Sequence, residues 1–125
     1  MRVLALIAMA VVIALSSAAQ SELLSTDDQI RKALVGNTVT GVEEAEAFTE
    51  YFHPDGRILG EDRQGRYTGH WLISGAQMCM RYETEGGKES NWDCSEVDLD
   101  GSRITWLADG EKTFSNLILG NPNGF

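Results

Sequence analysis

Basic residues are scarce in this chain: ten Lys and Arg stand against nineteen Asp and Glu, for a formal charge of −9. That balance argues against nucleic acid as a partner, because phosphate binding requires a basic patch. Cysteine is equally sparse, with only Cys79 and Cys94, and the Cys-x-x-Cys spacing of redox and zinc sites is absent. There are two histidines, His53 and His70, without metalloprotease spacing and without a Ser-His-Asp motif around them. No apolar run reaches the ~20 residues a spanning helix needs. Repeats and linkers are also lacking, and 125 residues suffice for one small globular domain at most, which argues against a multidomain enzyme.

The longest apolar stretch, residues 3–15, follows Arg2 and precedes Ser16, Ser17, Ala18 and Ala19. A basic start, a short apolar run and a small-residue cleavage site define a secretory signal peptide over residues 1–19. Residues 20–125 then form one β-barrel-like domain. No cysteine follows the cleavage site, so no lipid anchor forms there, and no stable membrane anchor remains after cleavage. The expected location is periplasmic or secreted. Export places Cys79 and Cys94 in an oxidising compartment and predicts a structural disulfide. Closing a loop of about 15 residues stabilises a fold by roughly 3 kcal/mol in the chain-entropy treatment.

One helix is expected, over residues 26–35. Ser25 or Thr26 caps it, Gln29 lies three residues after Thr26 as in a capping box, and Asp27 and Asp28 suit its positive end. Ile30 and Leu34 form an apolar stripe and Gly36 ends the helix, which then plugs or covers a sheet. Strand-like runs follow at 37–40, 47–52, 57–60, 65–73, 77–82, 92–97, 102–107 and 112–119. In the second, Phe48, Glu50 and Phe52 alternate with Thr49 and Tyr51; in the fourth, Tyr67, Gly69, Trp71 and Ile73 share a face. Asp100-Gly101 and Asp109-Gly110 are hairpin signals. The fold class is therefore mainly β: a small antiparallel meander, either a lipocalin-like barrel or a strongly curved sheet, with one N-terminal helix. Strand phase leaves one question open. If Cys79 faces Cys94, Trp92 shares that face and Met78, Met80 and Tyr82 take the other, so both faces carry large apolar groups: either one lines the barrel and the other meets the helix, or a bulge shifts the register.

Each candidate for chemistry has a plainer explanation. Met78-Cys79-Met80 resembles a soft-metal cluster, but alternation splits it across two faces, and adaptable core packing explains the methionines. Asp98-Leu99-Asp100-Gly101-Ser102 misplaces the glycine of a calcium loop, and a hairpin accounts for it. Glu43, Glu44 and Glu46 fit a solvated loop. No catalytic residue, metal or cofactor is assigned. Phe48, Phe52, Tyr67, Trp71, Trp92 and Trp106 either line a ligand cavity or fill the barrel.

Taken in order, Gly36-Asn37-Thr38-Val39, Tyr51-Phe52, Pro54-Asp55-Gly56, Tyr67-Thr68-Gly69-His70-Trp71, the 79–82 strand, Trp92 with Cys94, and Gly120-Asn121-Pro122 carry a family likeness. The chain resembles small exported alphaproteobacterial domains classed as a domain of unknown function, family 995 or a near relative. That resemblance implies no activity and no catalytic residues. Through Gly69-His70-Trp71 the chain is also loosely similar to lipocalin-like barrels, including bacterial metalloproteinase inhibitors. In lipocalins the Gly-x-Trp lies on the first strand, whereas here it falls near the fourth, so the similarity implies architecture alone.

The leading expectation is a non-catalytic exported binding module for an envelope protein or a small ligand. The alternatives are an envelope enzyme, or enzyme accessory, using His70 and nearby carboxylates, and a carrier of a small apolar ligand.

Overall fold

The computed structural model describes residues 21–125; the signal segment expected over 1–19 lies outside them. Nine strands and one helix follow in chain order: β1 (Glu22–Leu23), α1 (Asp27–Leu34), β2 (Thr38–Glu43), β3 (Glu46–Phe52), β4 (Arg57–Asp62), β5 (Gly65–Ser74), β6 (Gln77–Tyr82), β7 (Asp93–Asp100), β8 (Arg103–Ala108) and β9 (Glu111–Ile118). From β2 to β9 each strand pairs antiparallel with the next, and β9 returns to β2, so eight strands close into a barrel. Closure removes the sheet edges, which solves the exposed-edge problem for a short chain. The short β1 is the additional strand: Glu22 pairs with Leu99 and Leu23 with Asp98, along the part of β7 that β6 does not reach.

The register decides which side chains face inward. Glu50 pairs with Gly60, Gly60 with Tyr67, Phe52 with Ile58 and Ile58 with Gly69. Tyr82 continues the row from Gly69, Met80 lies opposite Trp71, and Met78 lies opposite Ser95. Paired residues share a face. Met78, Met80 and Tyr82 therefore turn into the barrel and Cys79 and Cys94 turn out, which answers the question of strand phase without a bulge. The outward cysteines are directly opposite each other and bonded, with Cα atoms 3.9 Å apart.

The helix forms largely as its sequence requires. Thr26 Oγ1 accepts a hydrogen bond from the Gln29 N–H at 3.2 Å, while Gln29 Oε1 accepts from the Ser25 N–H at 2.8 Å. The reciprocal cap is thus shifted by one residue from the standard box. Ile30 and Leu34 are fully buried. The Asp27 carboxylate accepts from the Ala76 N–H in the β5–β6 turn at 2.7 Å, and beyond the helix the Gly36 N–H donates to the Phe52 carbonyl. With its two ends held at these places, α1 closes one end of the barrel. Beneath it Val39, Phe52, Ile58, Met78, Val97 and Ile104 are fully or almost fully buried, with Trp71 and Trp106 packed against them. The core fills the helix-capped half of the barrel. No helix among the described residues is long and apolar enough to cross a membrane.

Candidate functional site

The opposite half of the barrel is open. A cavity of about 530 Å³ enters from the end carrying the β2–β3, β4–β5 and β8–β9 turns and runs down to Val39 and Trp106 at the top of the core. Three cross-strand pairs shape it. Gly60 lies opposite Tyr67, Gly69 opposite Tyr82 and Gly41 opposite Phe48. A Cβ on Gly60 would come within 2.3 Å of Tyr67 Cζ, one on Gly69 within 2.9 Å of Tyr82 Cδ1, and one on Gly41 within 2.9 Å of the Phe48 ring. Each glycine therefore lets the aromatic ring of the adjacent strand lie across its own backbone, which clears the lumen above the core.

The two tyrosines meet at Glu50. Tyr67 Oη donates to Glu50 Oε2 at 2.8 Å, and Tyr82 Oη donates to Oε1 at 2.9 Å, with Oε2 at 3.2 Å. Their rings stand edge to face with centroids 5.8 Å apart. Glu50 is 4% exposed. Burial lifts its carboxyl from 4.5 to about 7, overcoming the opposite pull of the two phenol hydrogen bonds, and the nearby charge of Glu43 adds to the rise. The same burial, with the charge of Glu50, raises Tyr67 and Tyr82 above the ordinary phenol range, so both remain protonated donors. The arrangement is a buried carboxyl that changes charge near neutral pH, held by two fixed donors at the floor of a cavity.

Around it the walls alternate in character. Phe48, Met80, Trp106 and Val39 supply apolar surface, and Ser95, Thr113 and Ser115 supply small polar groups. The Trp106 Nε1–H is spent on Ser115 Oγ at 3.0 Å, so its indole offers the cavity a ring and no donor. At the rim stand Glu43, Glu44, Glu46, Asp62 and Asp93. Glu43 and Glu46 are directly opposed in the β2–β3 ladder, a like-charge pairing that destabilises a hairpin. The turn between them, Glu44-Ala45, holds both residues at positive φ (50° and 66°) with neither glycine nor asparagine. Among the described residues no group of three His, Cys, Asp or Glu side chains could hold a metal ion.

Of the six aromatic residues singled out in the sequence, Phe48, Tyr67 and Trp106 line this cavity. Phe52 and Trp71 belong to the filled half, where the Trp71 Nε1–H donates to the His53 carbonyl at 2.8 Å. Trp92 lies outside, under the Arg81 guanidinium, whose carbon is 4.4 Å from the ring centroid. His70 also faces outward, with Nδ1 3.2 Å from Glu89 Oε1, and Arg81 is 2.7 Å from the other Glu89 oxygen. His53 contacts Asp55 in the 53–56 turn. Met78 is in the core and Met80 at the cavity, while Cys79 is taken up by the disulfide, so the three do not converge. Asp100 ends β7 opposite Arg103, so the β7–β8 hairpin loop is Gly101-Ser102, one residue beyond the Asp-Gly pair, with Gly101 at positive φ.

Sequence reasoning passed over Glu50 and Tyr82. A usable signal was present: an acidic residue alternates with Phe48 and Phe52 on a strand face that had to point inward. No family model, curated protein or solved structure matches the chain.

Proposed function

We propose that this chain is an exported, non-catalytic binding module that holds a small molecule in the open half of its barrel. The observation that carries the reading is the cavity itself: about 530 Å³, walled by rings and floored by a hydrogen-bonded carboxyl. Small-molecule sites fall in this range of volume, and here apolar rings alternate with polar side chains along the wall. The leader-like residues before Ser21 and the disulfide support export to an oxidising compartment. A purely apolar cargo fits poorly, because it would strand Glu50 and the rim carboxylates without compensation.

The test is native mass spectrometry of the protein recovered from producing cells, together with a thermal-shift screen of small molecules against the mature chain. The expected outcome is a retained or stabilising compound whose effect is lost in Ser95→Phe and in Thr113→Trp, each of which puts a ring into the cavity. Finding no compound by either method rejects the reading.

Acid–base catalysis is the second reading, favoured by a Glu50 that titrates at about 7. It shifts the candidate group from His70, which lies on the outer face, to Glu50. Chemical conversion of the bound compound, lost in Glu50→Gln, distinguishes it from simple binding.

A further inference from the structure

We propose that the cavity takes a small organic cation, an ammonium group on an apolar or aromatic body, with the Glu50 carboxylate as its counter-ion. The inference rests on the small-molecule reading above and adds the chemical class of the ligand.

The floor of the cavity is where the need for a cation is strongest. A buried carboxylate is ordinarily paired, because an unpaired charge out of water is costly. Glu50 has two phenol donors and, among the described residues, no positive group beside it. A carboxylate has about four acceptor sites, so Tyr67 and Tyr82 leave room for a further donor from inside the lumen. Among the described residues no Lys, Arg or His side chain lines the cavity. Three acids elsewhere are paired: Asp55 with Arg57 at 2.7 Å, Glu89 with Arg81 at 2.7 Å, and on α1 Asp28 with Lys32 at 3.6 Å. None of Glu43, Glu44, Glu46, Glu50, Asp62 and Asp93 takes part in an ion pair among the described residues. Unpaired acids also stand on the exposed surface, where water solvates them; Glu50 differs because it is buried, 4% exposed, without a cation beside it.

The walls agree with the floor. Phe48, Tyr67, Tyr82 and Trp106 present rings to the lumen, and ring faces attract cations. The hydroxyls of both tyrosines and the indole N–H of Trp106 are committed to Glu50 and Ser115, and the remaining wall donors, on Gln64, Ser95, Thr113 and Ser115, are neutral, so an anion would meet Glu50 and the rim carboxylates without a positive partner. The carboxylates do not group into a set of three able to hold a metal ion, which favours an organic cation over an inorganic one. The rim focuses a negative potential on the entrance and draws cations toward it.

Binding should follow the charge of Glu50. The groups facing it are Tyr67 from β5 and Tyr82 from β6, with the Glu43 charge from β2 acting at longer range; both phenols stay neutral throughout. An alkylamine stays protonated between pH 6 and pH 8. Its affinity should therefore rise roughly tenfold over that interval as Glu50 ionises.

The experiment is a thermal-shift panel on the mature, disulfide-bonded chain, using aryl- and alkyl-amines such as 2-phenylethylamine, each beside its alcohol and its carboxylate counterpart. Calorimetry at pH 6 and pH 8 follows for every compound that gives a shift. The expected result is stabilisation confined to amines, with affinity falling about tenfold or more in Glu50→Gln and lost in Ser95→Phe. Circular dichroism checks that both variants fold, and Phe48→Leu, which keeps an apolar wall without the ring, provides a third reading through a smaller loss. Stabilisation by alcohols or carboxylates instead overturns the cation class and leaves the binding-module reading standing. Amine binding indifferent to Glu50→Gln and to pH overturns the counter-ion assignment. A silent panel together with no retained compound in native mass spectra overturns both.

Discussion

Glu50 shows how far a residue's chemistry depends on its neighbours. On an exposed strand it would be an ordinary surface acid; opposite Gly60, beneath two phenols, it is a proton-binding group poised near neutrality. The raised value carries a stability consequence with a definite sign. Between 4.5 and about 7 the folded chain holds a proton on Glu50 that the unfolded chain has released. The contribution of Glu50 is therefore fully present below 4.5 and is lost as pH rises through 7. Replacing it with glutamine removes that dependence. From pH 5 to pH 8 the unfolding free energy of Glu50→Gln should improve relative to the parent by roughly 2–3 kcal/mol, as measured by urea denaturation at the two pH values. An unchanged difference would show that Glu50 is ionised throughout.

Among the elements, the β6–β7 ladder is where the covalent bond matters. It pairs through only three positions, Met78–Ser95, Cys79–Cys94 and Met80–Asp93, whereas β8–β9 pairs along its whole length. The disulfide thus braces a short seam of the barrel, and the loop beyond is tied back by the Ser90 N–H to the Tyr82 carbonyl at 2.8 Å. Replacing both cysteines with alanine should cost about 3 kcal/mol. Hydrogen exchange should accelerate first at the amides of residues 93–95, before the rest of the sheet; uniform acceleration would argue against a local brace. At this scale the eight barrel strands were legible in the sequence. Alternation in 65–73 and the Asp-Gly hairpins place them, because side chains of a strand alternate whatever it pairs with. Two features were not legible. β1 is two residues long and exists only because β7 offers it a free edge. The Glu44-Ala45 turn lacks the glycine or asparagine that announces such turns.

The whole molecule divides along its axis into a filled half and an open half, and Phe48 and Phe52 offer an internal comparison. They lie four residues apart on one face of β3, yet Phe52 is fully buried under the helix and Phe48 borders the cavity. Phe52→Ala should destabilise by about 3–5 kcal/mol, because it opens a void in packed surroundings. Phe48→Ala enlarges a space already open and should cost less than about half as much. Chemical denaturation of the two variants, without ligand, checks the division; equal costs would refute it.

Local chemistry in the sequence determined the strands, the capped helix, the hairpins and the disulfide partners, since each depends on neighbours along the chain or on there being only two cysteines. The placement of Phe48, Tyr67 and Trp106 around one lumen depended on closure, as did the exclusion of Phe52, Trp71 and Trp92 from it. Glu50, Tyr67 and Tyr82 come from three strands, with 17 and 32 residues separating the tyrosines from the acid. Nothing local marks them as partners. Only barrel register brings them together, and only burial turns an unremarkable glutamate into a group that changes charge near pH 7.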